Sequence, residues 1–267
     1  MAIHPTAIVD PDVVLGAVEI GPYCVVGAGV TLLDGVVLKS HVVVEGETVI
    51  GQGSVVHSFA VIGGDPQDLK YKGEPTKLII GKNNTFREYS TCNRGTLGGG
   101  GLTSIGDDNL FMASSHVGHD CIVGSGCVLA NSAALAGHVV LGDGVVMGGL
   151  SGVHQHTRVG ALAMIGAGAK VVQDVPPFMV VQGDRARLFG VNVIGLRRAG
   201  YSNDHIEVVR RAYKLLFDST TPFKDALEQL SADTEDPLRS LCLFLSERSK
   251  RGVCRGRPDP KFRLDDE

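Results

Sequence analysis

The stretch "IGDDNLFMASSHVGHDCIVGSGCVLANSAALAGHVVLGDGV", residues 105–145, decides the fold. In it Ile105, Phe111, Val117, Val123, Leu129, Leu135 and Leu141 recur every six residues. The step runs on through Met147, Val153, Val159, Ile165 and Val171. Toward the N-terminus it joins Ile8, Val14, Ile20, Val26, Leu32, Leu38, Val44, Ile50, Val56 and Ile62, then Ile80, Phe86 and Cys92. Neither a 3.6-residue helix nor a two-residue strand alternation produces a strict six. Short strands with one inward aliphatic per hexad, coiled so that each turn stacks on the next, do produce it. Glycine often follows the aliphatic (Gly21, Gly27, Gly51, Gly63, Gly81, Gly106, Gly124, Gly142, Gly148, Gly160, Gly166), which predicts corners with positive φ there. A parallel β-helix is the expected fold.

The chain has 267 residues, 43 % apolar and 20 % charged, with 36 glycines and no tryptophan. A formal charge of −4 argues against a simple cationic nucleic-acid binder. No run of eighteen apolar residues suggests a membrane span, and "MAIHPTAIVDPDVV" does not read as a secretory signal. Six cysteines without a CxxC pair predict reduced thiols in a cytoplasmic protein.

Two interruptions, near 63–79 and 94–103, predict loops leaving the prism, where binding groups are commonly carried. After about residue 185 the pattern changes. Ser202 is a good N-cap before apolar residues at helical spacing (Ile206, Val209, Tyr213, Leu216, Phe217). Two further helices are expected at about 222–231 and 236–249, then a frayed tail, "RGVCRGRPDPKFRLDDE". The expected organisation is a β-helix over 1–185 and a small helical domain over 186–267.

With coils of 18 residues, His119, Gly137 and Gln155 share one column and His138 and His156 the next. None of these histidines, nor His116 or His154, occupies an inward hexad position. The cluster could supply metal ligands, a general base with its helper, or a solvated surface.

The hexads resemble those of the hexapeptide-repeat transferases, which implies a left-handed coil and a homotrimer with sites between subunits. More narrowly, "VLKSHVVV", "PQDLKYKGEPT", "RGTLGGGGLTSIGDDN", "HVGHDCIVG", "LANSAALAGHV" and "QDVPPFMVVQG" resemble the UDP-N-acetylglucosamine O-acyltransferases of lipid A synthesis, over nearly the whole chain. The resemblance implies transfer of a 3-hydroxyacyl group from acyl carrier protein to the glucosamine 3-hydroxyl of UDP-N-acetylglucosamine, with no cofactor or metal. It assigns His119 as general base, Asp120 as its helper and the Gly137 N–H as oxyanion donor. Gln67, Asp68 and Lys70 would contact sugar and phosphate; His116, His138 and His154 would line the acceptor site, with Gln155 in support. Asn192 and Arg198 would hold the nucleotide, although Ile194, Ala199 and Arg185 depart from the family pattern there. Ala167 stands at the position tied to acyl length and predicts an intermediate chain. Residues 185–214 carry seven basic residues (Arg185, Arg187, Arg197, Arg198, Arg210, Arg211, Lys214) against Asp204 and Glu207, a complement for an acidic carrier protein.

Three other readings compete: a related acyltransferase on another nucleotide sugar, including a 3-amino analogue; a zinc lyase resembling the γ-class carbonic anhydrases; and a non-enzymatic β-helical assembly subunit.

Overall fold

The computed structural model describes residues 2–232 and 236–256, with nothing taken from the Asp236 side chain. Most strands from Ile8 to Val171 are two residues long, and each pairs in parallel with strands one coil away. This builds three sheets of 11, 9 and 8 strands, the walls of a triangular prism. Each short strand turns one residue outward and one inward, as in Val25–Val26 and Leu110–Phe111. Val26, Leu32, Leu38, Val44, Ile50, Val56 and Ile62 are at most 1 % exposed, so the hexad aliphatics form the core. Phe86 and Phe111 stack within it, ring centres 4.5 Å apart.

Two readings need correction. Ile8 and Val14 are 67 % and 61 % exposed. They pair with the outward Val25 and Thr31, while Val9 and Leu15 pair with the inward Val26 and Leu32. The first coil therefore has 17 residues, and a count in sixes from Ile8 starts one residue out of phase. The glycines after the aliphatics are also not the corners. Of the eleven, only Gly63 has positive φ, at 83°. All the others but Gly27, where a Cβ would meet nothing nearer than 3.7 Å, lie flush against the next coil: a Cβ on Gly51 would sit 2.2 Å from the Gly81 carbonyl oxygen, and one on Gly142 2.6 Å from the Ala161 nitrogen. Close backbone approach is what requires glycine there. The left-handed residue comes three positions after the aliphatic and is often not glycine: Tyr23, His41, Phe59, Asp120, His138 and Leu150 hold φ of 59–65°. Such conformers cost roughly 1–2 kcal/mol each; Tyr23, His41 and Phe59 stack ring on ring along one edge, with centres 5.0 and 4.9 Å apart.

Both interruptions leave from one edge of the prism, between the 9-stranded and 8-stranded sheets. The first joins Val61–Gly64 to Lys77–Ile80, and the second joins Thr91–Asn93 to Leu102–Ile105. Beyond the coils, Met179–Gln182 pairs antiparallel with Arg187–Val191. Four helices follow: α1 (Val193–Arg198), α2 (Asn203–Phe217), α3 (Phe223–Ser231) and α4 (Asp236–Ser246). Ser202 caps α2 by accepting from the His205 N–H at 3.2 Å, and Ile206, Val209, Ala212 and Leu216 are buried. The six-residue α1 was not expected, being shorter than a helical periodicity reveals. Arg158 ties α4 to the coil, bonding Asp174 Oδ2 at 2.9 Å and lying over the Phe244 ring at 4.6 Å. The first part of the expected frayed tail is instead fixed, with Cys254 1 % exposed and Val253 bridged to Asp174. Residues 257–267 of that tail lie outside the described residues. No described helix is long and apolar enough to cross a membrane.

Candidate active site

The edge that emits both loops also carries the histidines. Val117 is followed by a corner, Gly118–His119–Asp120, in which Asp120 takes φ 59° and its N–H donates to Thr103 Oγ1 at 2.8 Å. That bend brings the Asp120 carboxylate beside the ring of its neighbour, His119 Nδ1 to Asp120 Oδ2 being 2.7 Å. The Asp120 side chain is fully buried, and that of His119 is 11 % exposed. A buried carboxylate is costly unless hydrogen-bonded. Thr96, from the second loop, meets the need: its N–H donates to Oδ1 and its hydroxyl to Oδ2, each at 2.7 Å. The Gly99 N–H donates back to Thr96 Oγ1 at 3.2 Å, closing the short 3-10 turn Leu97–Gly99. A Cβ on Gly99 would lie 2.0 Å from the Asp120 carboxyl carbon, so the loop closes only with glycine.

Below His119, Gly137 leaves its ring room: a Cβ there would sit 2.4 Å from His119 Cε1 and 2.6 Å from Nε2. His138 meets His119 edge-on at 5.1 Å between ring centres and stacks on His156 at 4.4 Å. His138 Nε2 is 3.6 Å from Asp120 Oδ2. Burial pushes the His138 imidazole below its ordinary value, partly opposed by the Asp120 charge, and burial and His138 do the same to His156. His116 bonds Thr91 Oγ1 at 2.7 Å, and burial with His119 nearby lowers its pKa. His154 Nδ1 contacts the Gln155 carbonyl at 3.0 Å, and Gln155 Nε2 contacts His156 Nε2 at 3.2 Å.

Above His119 the first loop is held from beneath. Arg94, 8 % exposed, bonds the Gly63 carbonyl and the Asp65 carboxylate and donates to Tyr71 Oη at 3.1 Å. Asn93 donates to the Asp65 carbonyl at 2.8 Å. Asp68 accepts from the Lys70 N–H at 2.9 Å and lies near enough to His138 to act on its charge, while Gln67 and Lys70 are exposed.

His119, Asp120 and His138 could between them hold a metal, their donor atoms lying within 4.8 Å of one another. Hydrogen bonds already occupy that space: Asp120 Oδ1 takes the Thr96 N–H, and Oδ2 takes the Thr96 hydroxyl and faces His119 Nδ1. The carboxylate is thus placed where it can orient the imidazole through Nδ1, and no hydrogen bond engages Nε2 among the described residues.

Residues 174–254 match a family model described as Udp N-acetylglucosamine O-acyltransferase, Domain 2, and residues 102–137 match Bacterial transferase hexapeptide (six repeats). The acyl-(acyl-carrier-protein)–UDP-N-acetylglucosamine O-acyltransferase of Paraburkholderia phymatum is 46 % identical over 260 residues, 95 % of this chain and 99 % of the relative. The chain belongs to the UDP-N-acetylglucosamine O-acyltransferase family.

Solved structures of that family agree. The enzyme of Moraxella catarrhalis superposes with a TM-score of 0.91 at 41 % identity, covering 96 % of this chain and 100 % of that one. The Arabidopsis UDP-N-acetylglucosamine acyltransferase superposes at 0.83 with 36 % identity, covering 95 % of this chain and 100 % of that one. The fold is the left-handed β-helix with a C-terminal helical domain, as the resemblance implied.

Within this acyltransferase fold, the single chain gathers Gln67, Asp68, Lys70, His116, His119, Asp120, Gly137, His138, His154 and Gln155 along one edge. Three expected residues lie elsewhere. Ala167 is exposed at the next edge, between Met164–Ile165 and Lys170–Val171. Asn192 is 9 % exposed and caps α1, donating to the Leu162 carbonyl at 2.8 Å and accepting from the Gly195 N–H. Arg198 is exposed at the end of α1, Ile194 is 64 % exposed, and Ala199 and Arg185 are exposed nearby. Thr96, Gly99, Thr103 and Thr91 were not expected. The only sequence hint of the first two was the glycine-rich break in the hexads.

Proposed function

We propose that this chain transfers a 3-hydroxyacyl group from acyl carrier protein to the 3-hydroxyl of UDP-N-acetylglucosamine, the entry reaction of lipid A synthesis. The observation that carries the reading is the Thr96–Asp120–His119 chain, with bonds of 2.7 Å at each link. Asp120 accepting from the Nδ1–H fixes the tautomer and leaves Nε2 as the base. His119 Nε2 takes the hydroxyl proton as the sugar oxygen attacks the thioester carbonyl. The developing oxyanion is met by the Gly137 N–H, which no protein acceptor engages among the described residues. As the tetrahedral intermediate collapses, the C–S bond breaks and the imidazolium returns the proton to the departing thiolate. Asp120 stabilises the imidazolium without taking the proton.

The placement of Ala167, Asn192 and Arg198 away from His119 supports a homotrimer. A prism with three chemically different edges can offer its catalytic edge to another edge of a neighbour, and threefold rotation closes that contact. Nucleotide and acyl chain would then lie between copies. The exposed Arg185, Arg187, Arg197, Arg198, Arg211 and Lys214 support docking of an acidic carrier protein. Six buried free thiols support a reducing compartment, and we assign the protein to the cytoplasm; burial pushes Cys121 up to about 12 and Cys127 to about 11.

The test is incubation with 3-hydroxyacyl carrier protein and UDP-N-acetylglucosamine, followed by mass spectrometry of the product. An alkali-labile ester at the 3-oxygen supports the reading. Acylation only of a 3-amino sugar would move the chain to the amide-forming alternative. No transfer, together with stoichiometric zinc and carbon dioxide hydration, would favour the lyase.

A further inference from the structure

Residues 93–96 open the second loop, and their backbone bonds fall in a telling order. The Arg94 N–H donates to the Gly64 carbonyl at 3.0 Å, where the first loop leaves the prism. The Gly95 N–H donates to the Lys77 carbonyl at 3.1 Å, where that loop returns. The Thr96 N–H, next along, donates to Asp120 Oδ1. Three consecutive amides therefore grip both ends of the first loop and the carboxylate beside His119. Only glycine fits the middle position, since a Cβ on Gly95 would sit 2.2 Å from the Leu102 nitrogen.

The buried Arg94 side chain extends this grip along the first loop. It donates to the Gly63 carbonyl, the Asp65 carboxylate and Tyr71 Oη. Tyr71 Oη donates in turn to the Glu74 carbonyl, and the Tyr71 N–H to the Asp68 carbonyl, both at 3.0 Å. One side chain thus fixes the start of the loop, the turn over 68–71 and the approach to its exit. Room is kept for it: Gly46 has φ 66°, and a Cβ there would collide with the guanidinium. A guanidinium is costly to bury, and apolar packing would suffice beneath a loop whose exact position did not matter. Asp68 lies near enough to His138 for its charge to favour the imidazolium, so the loop that Arg94 holds overhangs the histidine edge.

We propose that Arg94 is a positioning residue for the nucleotide-sugar acceptor, holding over that edge the loop that carries Gln67, Asp68 and Lys70, an assignment that rests on the acceptor reading above. Thr96, two positions on, holds the base. Acceptor binding and turnover are then set by separate residues of one short strap.

The test uses full-length Arg94→Gln, Arg94→Lys, Asp65→Asn and the double variant Arg94→Gln/Asp65→Asn, with a melting temperature for each. The Asp65 side chain is 71 % exposed, so its substitution breaks the ion pair without disturbing the interior. In Arg94→Gln, KM for UDP-N-acetylglucosamine and its calorimetric Kd should rise about 10- to 100-fold, with kcat within about 3-fold of wild type and KM for the acyl carrier unchanged. Asp65→Asn should weaken acceptor binding less. The double variant should lose no more than Arg94→Gln alone, because both substitutions break one tie. Arg94→Lys should recover part of the affinity, since an ammonium keeps the charge but not the fork. Wild-type acceptor affinity in Arg94→Gln, or in Asp65→Asn where Arg94→Gln does not fold, overturns the assignment. So does a loss spread equally over kcat and both KM values with a lowered melting temperature, the mark of a merely structural role. A wild type that neither binds nor acylates the nucleotide sugar overturns the acceptor reading itself.

Discussion

Thr96 gives both its backbone N–H and its hydroxyl to the two carboxylate oxygens of Asp120, each at 2.7 Å. The residues are 24 positions apart in sequence and meet because the second loop folds down over the histidine-bearing edge. Thr96→Val keeps the first bond and removes the second. Its kcat should fall about 10- to 100-fold, the rate equivalent of one charge-assisted hydrogen bond, with KM for the acceptor little changed. Thr96→Ser should retain most activity. A Val variant as active as wild type would show that Asp120 needs no second anchor.

Gly137→Ala tests the close approach of the His119 ring. The added methyl would sit 2.4 Å from Cε1, on a ring held at its other side by Asp120. Activity should drop at least about 10-fold while stability falls by no more than the ~1–3 kcal/mol typical of overpacking. Gly152→Ala, where a methyl would meet nothing within 4 Å, is the matched control and should leave both unchanged. Steady-state rates and denaturant midpoints of the two variants decide this.

His116 gives a stability prediction. Burial, and then His119, lowers its pKa, so the folded protein favours the neutral ring. As pH falls through the ordinary imidazole value of about 6.5, the unfolded chain takes up the proton first, and stability declines toward the lower folded value. Above that ordinary value this term is constant. Urea midpoints should therefore fall as the pH drops below about 6.5, and His116→Gln should flatten the slope. An unaltered slope would mean that the ring is not held neutral.

Ala167 tests the acyl slot and, with it, the assembly. A donor series should show Ala167→Gly favouring longer hydroxyacyl chains and Ala167→Met shorter ones than wild type. Because Ala167 and His119 stand on different edges of one chain, this response requires a neighbouring copy; a monomer in solution by light scattering would contradict it.

Much of this molecule was legible because a coil repeats. From Ile20 to Ile62 and from Ile105 to Val171 the inward residues could be counted directly, and the same count set His138 beside His156. Legibility failed where the repeat was broken or the contact was not local. Ile8 and Val14 were misplaced because a single missing residue in the first coil reverses inside and outside. The glycines were noticed for a sound reason but given the wrong one, since stacking distance between coils leaves no separate mark in sequence. Thr96 could not be foreseen: nothing in "RGTLGGGG" says where the loop lands. The return of Cys254 to the coil was missed because the surrounding charges and glycines resemble a solvated tail.

The most direct test of the account is acyl transfer by His119→Ala beside wild type, with folding verified by circular dichroism and melting temperature. Loss of a general base should lower kcat by roughly 10²-fold or more, while UDP-N-acetylglucosamine still binds. A folded His119→Ala variant that transfers acyl groups at a rate near wild type would contradict the central claim, and the base would have to be sought elsewhere on the edge.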